Sequence, residues 1–400
     1  MSRDSYEILH EQIHGWLHRK NIASSVRRVS TLPVAIATDI GLTRKENQDR
    51  VAVLKFRPLS KNKDMVVVAL ADGMGGMEGG ANAASLTLST FFTEIIRNSH
   101  LSIRICLEKA ALRANESVLN VYKGNGGATL SAIALEDDEN ITAINIGDSR
   151  IYAVSTDEIV QLSEDDTLAA LAKKYNNHIG INTAEVDSRF GGELVQFIGL
   201  DGVLEIHYYH INPKDKGAIL LTSDGAHSVG NENLRRLFSH STNTGIYSRR
   251  VIDLASWLGG FDNATVAVVE PYSLLKELDI SSGDVINLWD PFGELKIISI
   301  SNSSANVLVP SENTHPKEII STEDIQNINP SSKTDREVSS LTVKKSTIKR
   351  KPRAKSKPKN LTDAALRKKE SNGNDKLEDI SQLDMPFSER NSIKGDENEK

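Results

Sequence analysis

Cysteine is almost missing from this chain. Cys106 stands alone among 400 residues, which excludes a disulfide framework and a zinc site of several thiolates, and fits a reducing compartment. No stretch approaches the roughly 18 apolar residues that a membrane span requires. The first twenty residues are polar and amphipathic without the apolar centre of a signal peptide, so the expected location is cytoplasmic. A strong charge of one sign is lacking too: the net charge of −6 is mild at this length and identifies no partner. There is no G-x4-G-K-[ST] loop for nucleotide phosphates and no internal repeat, and no paired metal-binding histidines are expected. The ten histidines are scattered, and His178, His207, His210 and His227 read as surface or structural residues, not ligands.

What the chain does have is a sharp change of composition. Up to about residue 272 apolar runs alternate with turn residues, whereas beyond about 309 Ser, Asn, Lys, Asp and Glu dominate. Such a stretch buries too little apolar surface to offset the entropy of ordering itself. The organisation expected is a helical extension over 1–30, a main domain over 31–272, a small add-on over 273–309 and a disordered tail over 310–400. In the add-on, 285–300 (VINLWDPFGELKIISI) has strand content around a Pro-Phe-Gly turn and suggests a hairpin. In the tail, nine of the sixteen residues 344–359 are Lys or Arg and none is acidic.

Periodicity predicts strands at 34–39, 50–56, 65–70, 128–135, 141–146, 150–154, 204–211, 218–222 and 264–269. It predicts helices at 6–16, 81–97, 103–122, 231–238 and 247–258. Within 103–122, Leu107, Ala111, Ala114, Val118 and Val121 recur at spacings of four and three and line one core-facing side. The 65–70 stretch is almost wholly apolar, as a central buried strand requires. Strands come in consecutive runs separated by paired helices, which argues for antiparallel sheets with helices outside them and against a doubly wound parallel fold.

Asp72, Asp148, Asp224 and Asp262 each follow an apolar strand or open a turn at a strand end. Singly, an Asp before Gly reads as a plain turn. Several at strand ends can instead converge on a shared cation, where burying them unpaired would be costly. Hard oxygen ligands of this kind suit magnesium or manganese.

The motifs around them resemble the metal-dependent protein phosphatases of the 2C type, particularly the bacterial branch, over about 34–269. Thr38, Asp39, Gly41, Arg44, Asn47 and Asp49 match the opening T-D-x-G-x-x-R-x-x-N-x-D. Residues 70–76 (LADGMGG), with Gly79, Ala84 and Ser85, match the D-G-M-G-G segment. Gly127-Ala128-Thr129 stands where the family has Gly-Thr-Thr, and 145–152 (NIGDSRIY) matches N-x-G-D-S-R-x-Y. Residues 220–225 (LLTSDG) and Asp262-Asn263 with Thr265 match the last two motifs.

The resemblance implies an α+β fold, a four-layer α-β-β-α sandwich of two antiparallel sheets packed face to face with helices on both outer faces. It implies hydrolysis of phosphoserine and phosphothreonine in phosphoprotein substrates by a metal-bridging water in one in-line step, opposite a cognate Ser/Thr kinase. Two or three Mn or Mg ions would serve. Asp72 would bridge two of them, with the Gly73 carbonyl on the first, Asp224 and Asp262 on the second, and Asp148 with Asp224 on a third. Asp49 would act mostly through metal-bound water, and Arg44 would offer its planar fork to the phosphate. Two cations about 3.5–4 Å apart suit this chemistry, because an unaided phosphomonoester hydrolyses extremely slowly. No protein nucleophile is needed, and Cys106 lacks C-x5-R spacing, since Leu112 stands six residues on.

Some positions depart from the family pattern. Gln48 stands where many members have Glu, and Met74 and Met77 stand where members carry histidines, so the proton donor to the leaving group is unassigned. Asp165-Asp166-Thr167 fills the D-H-S stretch without its histidine, and no role carries over to it. Residues 167–200 are expected to form a helical flap that affects substrate choice. Two other readings stay open: a pseudophosphatase that binds phosphoproteins as a scaffold, and a nucleic-acid-associated regulator. For the second, 344–359 would contact DNA or RNA phosphates; the bland alternative is a solvated linker. A salt titration on duplex DNA, with and without 310–400, separates the two.

Overall fold

The computed structural model describes residues 5–19, 24–61, 63–74, 79–135, 141–179, 192–212, 217–278 and 285–298. The expected tail over 310–400, with its basic run, lies outside the described residues.

Two antiparallel sheets form the centre. Strands β1 (Ser24–Arg28), β2 (Val34–Asp39), β7 (Arg150–Val154), β8 (Ile159–Gln161), β10 (Ala218–Thr222) and β11 (Ala264–Val269) make a six-stranded sheet in the order β1-β2-β11-β10-β7-β8. Strands β3 (Arg50–Phe56), β4 (Met65–Ala71), β5 (Leu130–Leu135), β6 (Ile141–Ile146), β9 (His207–Ile211), β12 (Val285–Asp290) and β13 (Gly293–Ile298) make a seven-stranded sheet, β13-β12-β3-β4-β5-β6-β9. Alternate residues of both sheets, among them Val34, Ile36, Val68, Ile133, Leu221 and Val269, bury into one apolar layer between them. The opposite faces pack on helices. The seven-stranded sheet carries α1 (Ser5–Leu17), α2 (Gly80–Arg97) and α3 (Ile103–Tyr122), while α6 (Asn231–Ser239) and α7 (Thr244–Trp257) cover the six-stranded sheet. This is the four-layer sandwich. β4 sits between β3 and β5 and is buried at every residue, as its run of Val, Ala and Leu requires.

The register gathers the acidic turns at one end. Arg50 pairs with Ala71, Leu70 with Ser131 and Leu130 with Ile146 in one sheet; Thr38 pairs with Thr265 and Thr222 with both Val266 and Arg150 in the other. The ends carrying Asp49, Asp72, Asp148, Asp224 and Asp262 are therefore neighbours. The chain also crosses between the sheets there twice, from β2 to β3 and from β6 to β7.

Four elements go beyond the expected ones: β1, β8 and the short helices α5 (Asp224–His227) and α8 (Pro271–Glu277). β9 begins at His207, not 204, because its partner β6 is matched only from Asn145 onward. α7 begins three residues early because Asn243 caps it, its side chain accepting from Ile246 N at 3.0 Å. The helical flap is described as α4 (Leu168–Ile179) together with 192–200; residues 180–191 lie outside the described set. On α1, His10, His14 and His18 stack in a row with centroids 6.0 and 5.5 Å apart, which corrects the expectation of no paired histidines: His10-Glu11 and His14 stand in H-E-x-x-H spacing, although among the described residues no three such side chains could hold a metal ion.

Candidate metal and phosphate site

Each acidic turn is fixed by groups that are themselves paired. The Asp72 backbone N–H donates to Thr129 Oγ1 at 2.9 Å, and its carbonyl accepts from Thr129 N at 2.9 Å. Thr129 Oγ1 in turn lies 2.7 Å from Ser149 Oγ, tying the turn to the one beside Asp148. Gly73 N donates to Gln48 O at 3.3 Å. A Cβ at Gly73 would stand 2.3 Å from Gly80 O, and one at Gly225 would stand 2.2 Å from Asn263 O, so only glycine can follow these two aspartates. Ser223 Oγ donates to Asp49 Oδ2 at 2.8 Å and accepts from Thr265 N at 2.9 Å. Asn263 fastens the loop over 40–48: its Nδ2 donates to Ile40 O and Glu46 O, and its Oδ1 accepts from Gln48 N at 2.8 Å.

The carboxyls meet. They lie within electrostatic reach of one another, and Asp49, Asp224, Asp148 and Asp262 all act on Asp72. Burial and mutual repulsion favour their protonated forms. Burial pushes Asp49 up to about 7, with Asp224 adding to the effect. Asp148 is likewise pushed up to about 7 by burial, then by Asp224 and Asp165. Asp72 rises well above the usual carboxylate range through burial and then Asp49, Asp224, Asp148 and Asp262. Asp224 rises through burial, then Asp262. Asp262 is turned toward the rim, where one oxygen accepts from Asn263 N at 2.8 Å and the other from Arg44 Nη2 at 2.6 Å. That ion pair raises the Arg44 guanidinium further, and Asp224 and Asp72 add to it.

The donor set fits a hard divalent cation. It consists of carboxylates and a backbone carbonyl with no thiolate, and Asp49 Oδ1 is buried without a conventional donor, the Asp72 carboxyl being its neighbour. Among the described residues, no three acidic, histidine or cysteine side chains converge tightly enough to enclose an ion by themselves. Magnesium tolerates so sparse a shell because it keeps several waters.

Arg44, Asp49, Asp72, Gly73, Asp148, Asp224 and Asp262 thus all lie at this end of the sandwich. Ser223, Thr129, Asn47 and Asn263 were not assigned site roles beforehand. All four fall inside the motifs that carry the family resemblance, which was the signal that could have found them. His207 is structural, as expected: its Nε2 lies 2.9 Å from Asp166 Oδ1, and Asp166 Oδ2 accepts from Gly147 N at 2.9 Å, steadying the turn before Asp148. The flap segment is anchored at the same rim by bridges between Thr167 and Leu194 and between Ala128 and Ile198.

The sequence pattern of the family described as Protein phosphatase 2C matches residues 43–259. The chain belongs to that family, the metal-dependent serine/threonine protein phosphatases. Among its relatives, a protein described as "Putative protein phosphatase 2C-type" from Streptococcus pyogenes serotype M6 is 29% identical over 249 residues, covering 60% of this chain and 97% of the relative. "Serine/threonine phosphatase stp" from Listeria innocua serovar 6a is 25% identical over 259 residues, covering 61% of this chain and 98% of the relative. The solved serine/threonine phosphatase of S. agalactiae has a TM-score of 0.51 at 26% identity, covering 59% of this chain and 97% of that one.

Proposed function

We propose that the phosphatase site is the Asp72 cluster, where Asp72, the Gly73 carbonyl, Asp224 and Asp262 would hold magnesium or manganese ions, Asp49 would act mostly through metal-bound water, and Asp148 with Asp224 would offer a further place. When bound, the ions supply an acidified water as nucleophile and positive charge against the phosphoryl oxygens. Arg44 binds the phosphate of phosphoserine or phosphothreonine with its fork of donors, exchanging part of its pairing with Asp262 for the substrate dianion. Asn263 keeps the Arg44 loop over the cluster, and Ser223 holds Asp49 by one oxygen so that the other stays turned inward.

The observation that carries this reading is the group of buried, mutually repelling carboxyls Asp49, Asp72 and Asp224, with Asp49 Oδ1 lacking a donor, beside the Arg44–Asp262 ion pair at the rim. The test is manganese-dependent hydrolysis of a phosphothreonine peptide and of p-nitrophenyl phosphate by the full chain. Asp72→Asn should lower kcat by about a thousandfold or more, and chelator should abolish activity that manganese restores. A folded wild-type chain that binds manganese and phosphopeptide but turns over neither substrate would instead support the scaffold reading.

Among the described residues no helix is long and apolar enough to cross a membrane. A reducing, cytoplasmic setting is the reading favoured by the near absence of cysteine, Cys106 being free and buried. A Ser/Thr kinase acting on the same proteins is the natural counterpart of the reaction. Nucleic-acid contact through 344–359 rests on composition alone.

A further inference from the structure

Outside the span matched by the family, 43–259, two pieces of this chain meet behind Asp49. They are α1 and the β12–β13 hairpin. α1 buries Leu9, Ile13 and Leu17. Just past its end, Arg19 lies over the Trp16 ring at 3.8 Å and grips Asp290 at the hairpin turn with two nitrogens, at 2.8 and 2.7 Å. The Trp16 ring fills the space beside Gly293, where a Cβ would come within 2.6 Å of it. Ser25 Oγ donates to Pro291 O at 2.6 Å, and β12 hydrogen-bonds along β3 from Asn287 to Trp289.

Arg50 joins this assembly to the site. Its Nε donates to Leu17 O at the end of α1 at 2.8 Å and to Ser85 Oγ at 2.9 Å. Its Nη1 donates to Asn47 O at 2.9 Å and Asp49 O at 2.7 Å. A cavity of about 10 Å³, room for one water, lies among Leu17, Asn47, Asp49, Arg50, Asp290 and Phe292. The guanidinium is buried, yet all four partners are neutral. An apolar side chain would fill the same space without desolvating a charge. What a planar fork adds is a rigid link from the α1 carbonyl to two carbonyls of the loop that presents Asp49.

We propose that Arg50 is a positioning residue for the cation site, and that α1 and the hairpin form the clamp that sets it. Seating of α1 places the Leu17 carbonyl; Arg50 passes that placement to Asn47 and Asp49; Asp49 then faces Asp72 at the correct reach. The inference rests on the reading of Asp49 as part of the cation site.

The test titrates manganese into chelator-treated full-length protein by calorimetry, alongside kcat and KM for p-nitrophenyl phosphate at graded manganese and a thermal unfolding control. Arg50→Met should bind manganese about tenfold more weakly. Its kcat should fall at low manganese and recover in excess, with KM changed by less than about twofold, the pattern of a group acting through the ion and not on the substrate. Arg50→Lys, which keeps the charge but not the fork, should recover only part of the loss. Arg19→Ala, at the far end of the clamp, should weaken manganese binding in the same direction by about threefold. A folded Arg50→Met with wild-type manganese affinity overturns the proposal. If Arg50→Met does not fold, wild-type affinity in both Arg50→Lys and Arg19→Ala overturns it equally. Loss of turnover in the wild type would sink the catalytic reading, while the calorimetric comparison would still decide the role of Arg50.

Discussion

The layer between the sheets and the strand ends beside it are built from the same strands under opposite rules. Ile36, Val68, Ile133 and Leu221 are apolar and buried, so each stabilises the fold by leaving water. A few residues along those strands, Asp49, Asp72, Asp148 and Asp224 are also withdrawn from water, but as carboxyls that repel one another. Position alone does not make a residue stabilising. The first region holds the molecule together; the second is held together by it, at a cost that a cation bound as proposed would offset.

The largest effect belongs to the apolar layer. Ile36→Ala, at a fully buried site, should cost about 2–5 kcal/mol in denaturant unfolding of the full chain. Because no carboxylate is relieved, saturating manganese should leave that difference between variant and wild type unchanged. A manganese-dependent difference would break the separation between the two regions.

A smaller effect belongs to the seam between α1 and α2, which lies between these extremes. His10 Nε2 sits 3.1 Å from Thr90 Oγ1 and 3.2 Å from Ser89 Oγ, and His14 Nε2 sits 3.1 Å from Asn82 Oδ1. Burial lowers both imidazoles below 6.5; His14 and Arg113 lower His10 further against Glu11, while for His14 the Asn82 bond opposes burial and His18 assists it. The unfolded chain therefore binds more protons below pH 6.5, and stability is lost as pH falls through that point. The change should be under about 1 kcal/mol after solvent screening. Hydrogen exchange across α1 should show it loosening between about pH 7 and 5, and a His10→Gln/His14→Gln variant should flatten the response.

Much of this architecture was legible in the chain because its signal is local. Strands such as 34–39, 50–56 and 264–269 announce themselves by apolar runs between turns, and the bounds in the structure agree. β1 escaped notice because Ser24–Arg28 is polar and only half-buried, an edge strand defined by its partner. The aspartates were legible through their turns and motifs. The pairing of their supports was not, since the bond from Ser223 to Asp49 spans 174 positions and that from Gln48 to Asn263 spans 215. Arg50 was hidden for the same reason: nothing near it in sequence foretells that α1 supplies its acceptor.

The most direct test of the central claim is thermal unfolding of wild type and Asp72→Asn, each with chelator and with manganese. Burial and then Asp49, Asp224, Asp148 and Asp262 raise the Asp72 carboxyl above its ordinary 3.8, so in the metal-free fold its ionisation favours unfolding as the pH rises above that point. With chelator at pH 7.5, Asp72→Asn should have the higher Tm, and the gap should close as the pH approaches 4. Manganese should reverse the order by raising the wild-type Tm and leaving the variant nearly unmoved. A variant less stable than wild type in chelator, or one that manganese stabilises equally, would contradict the account.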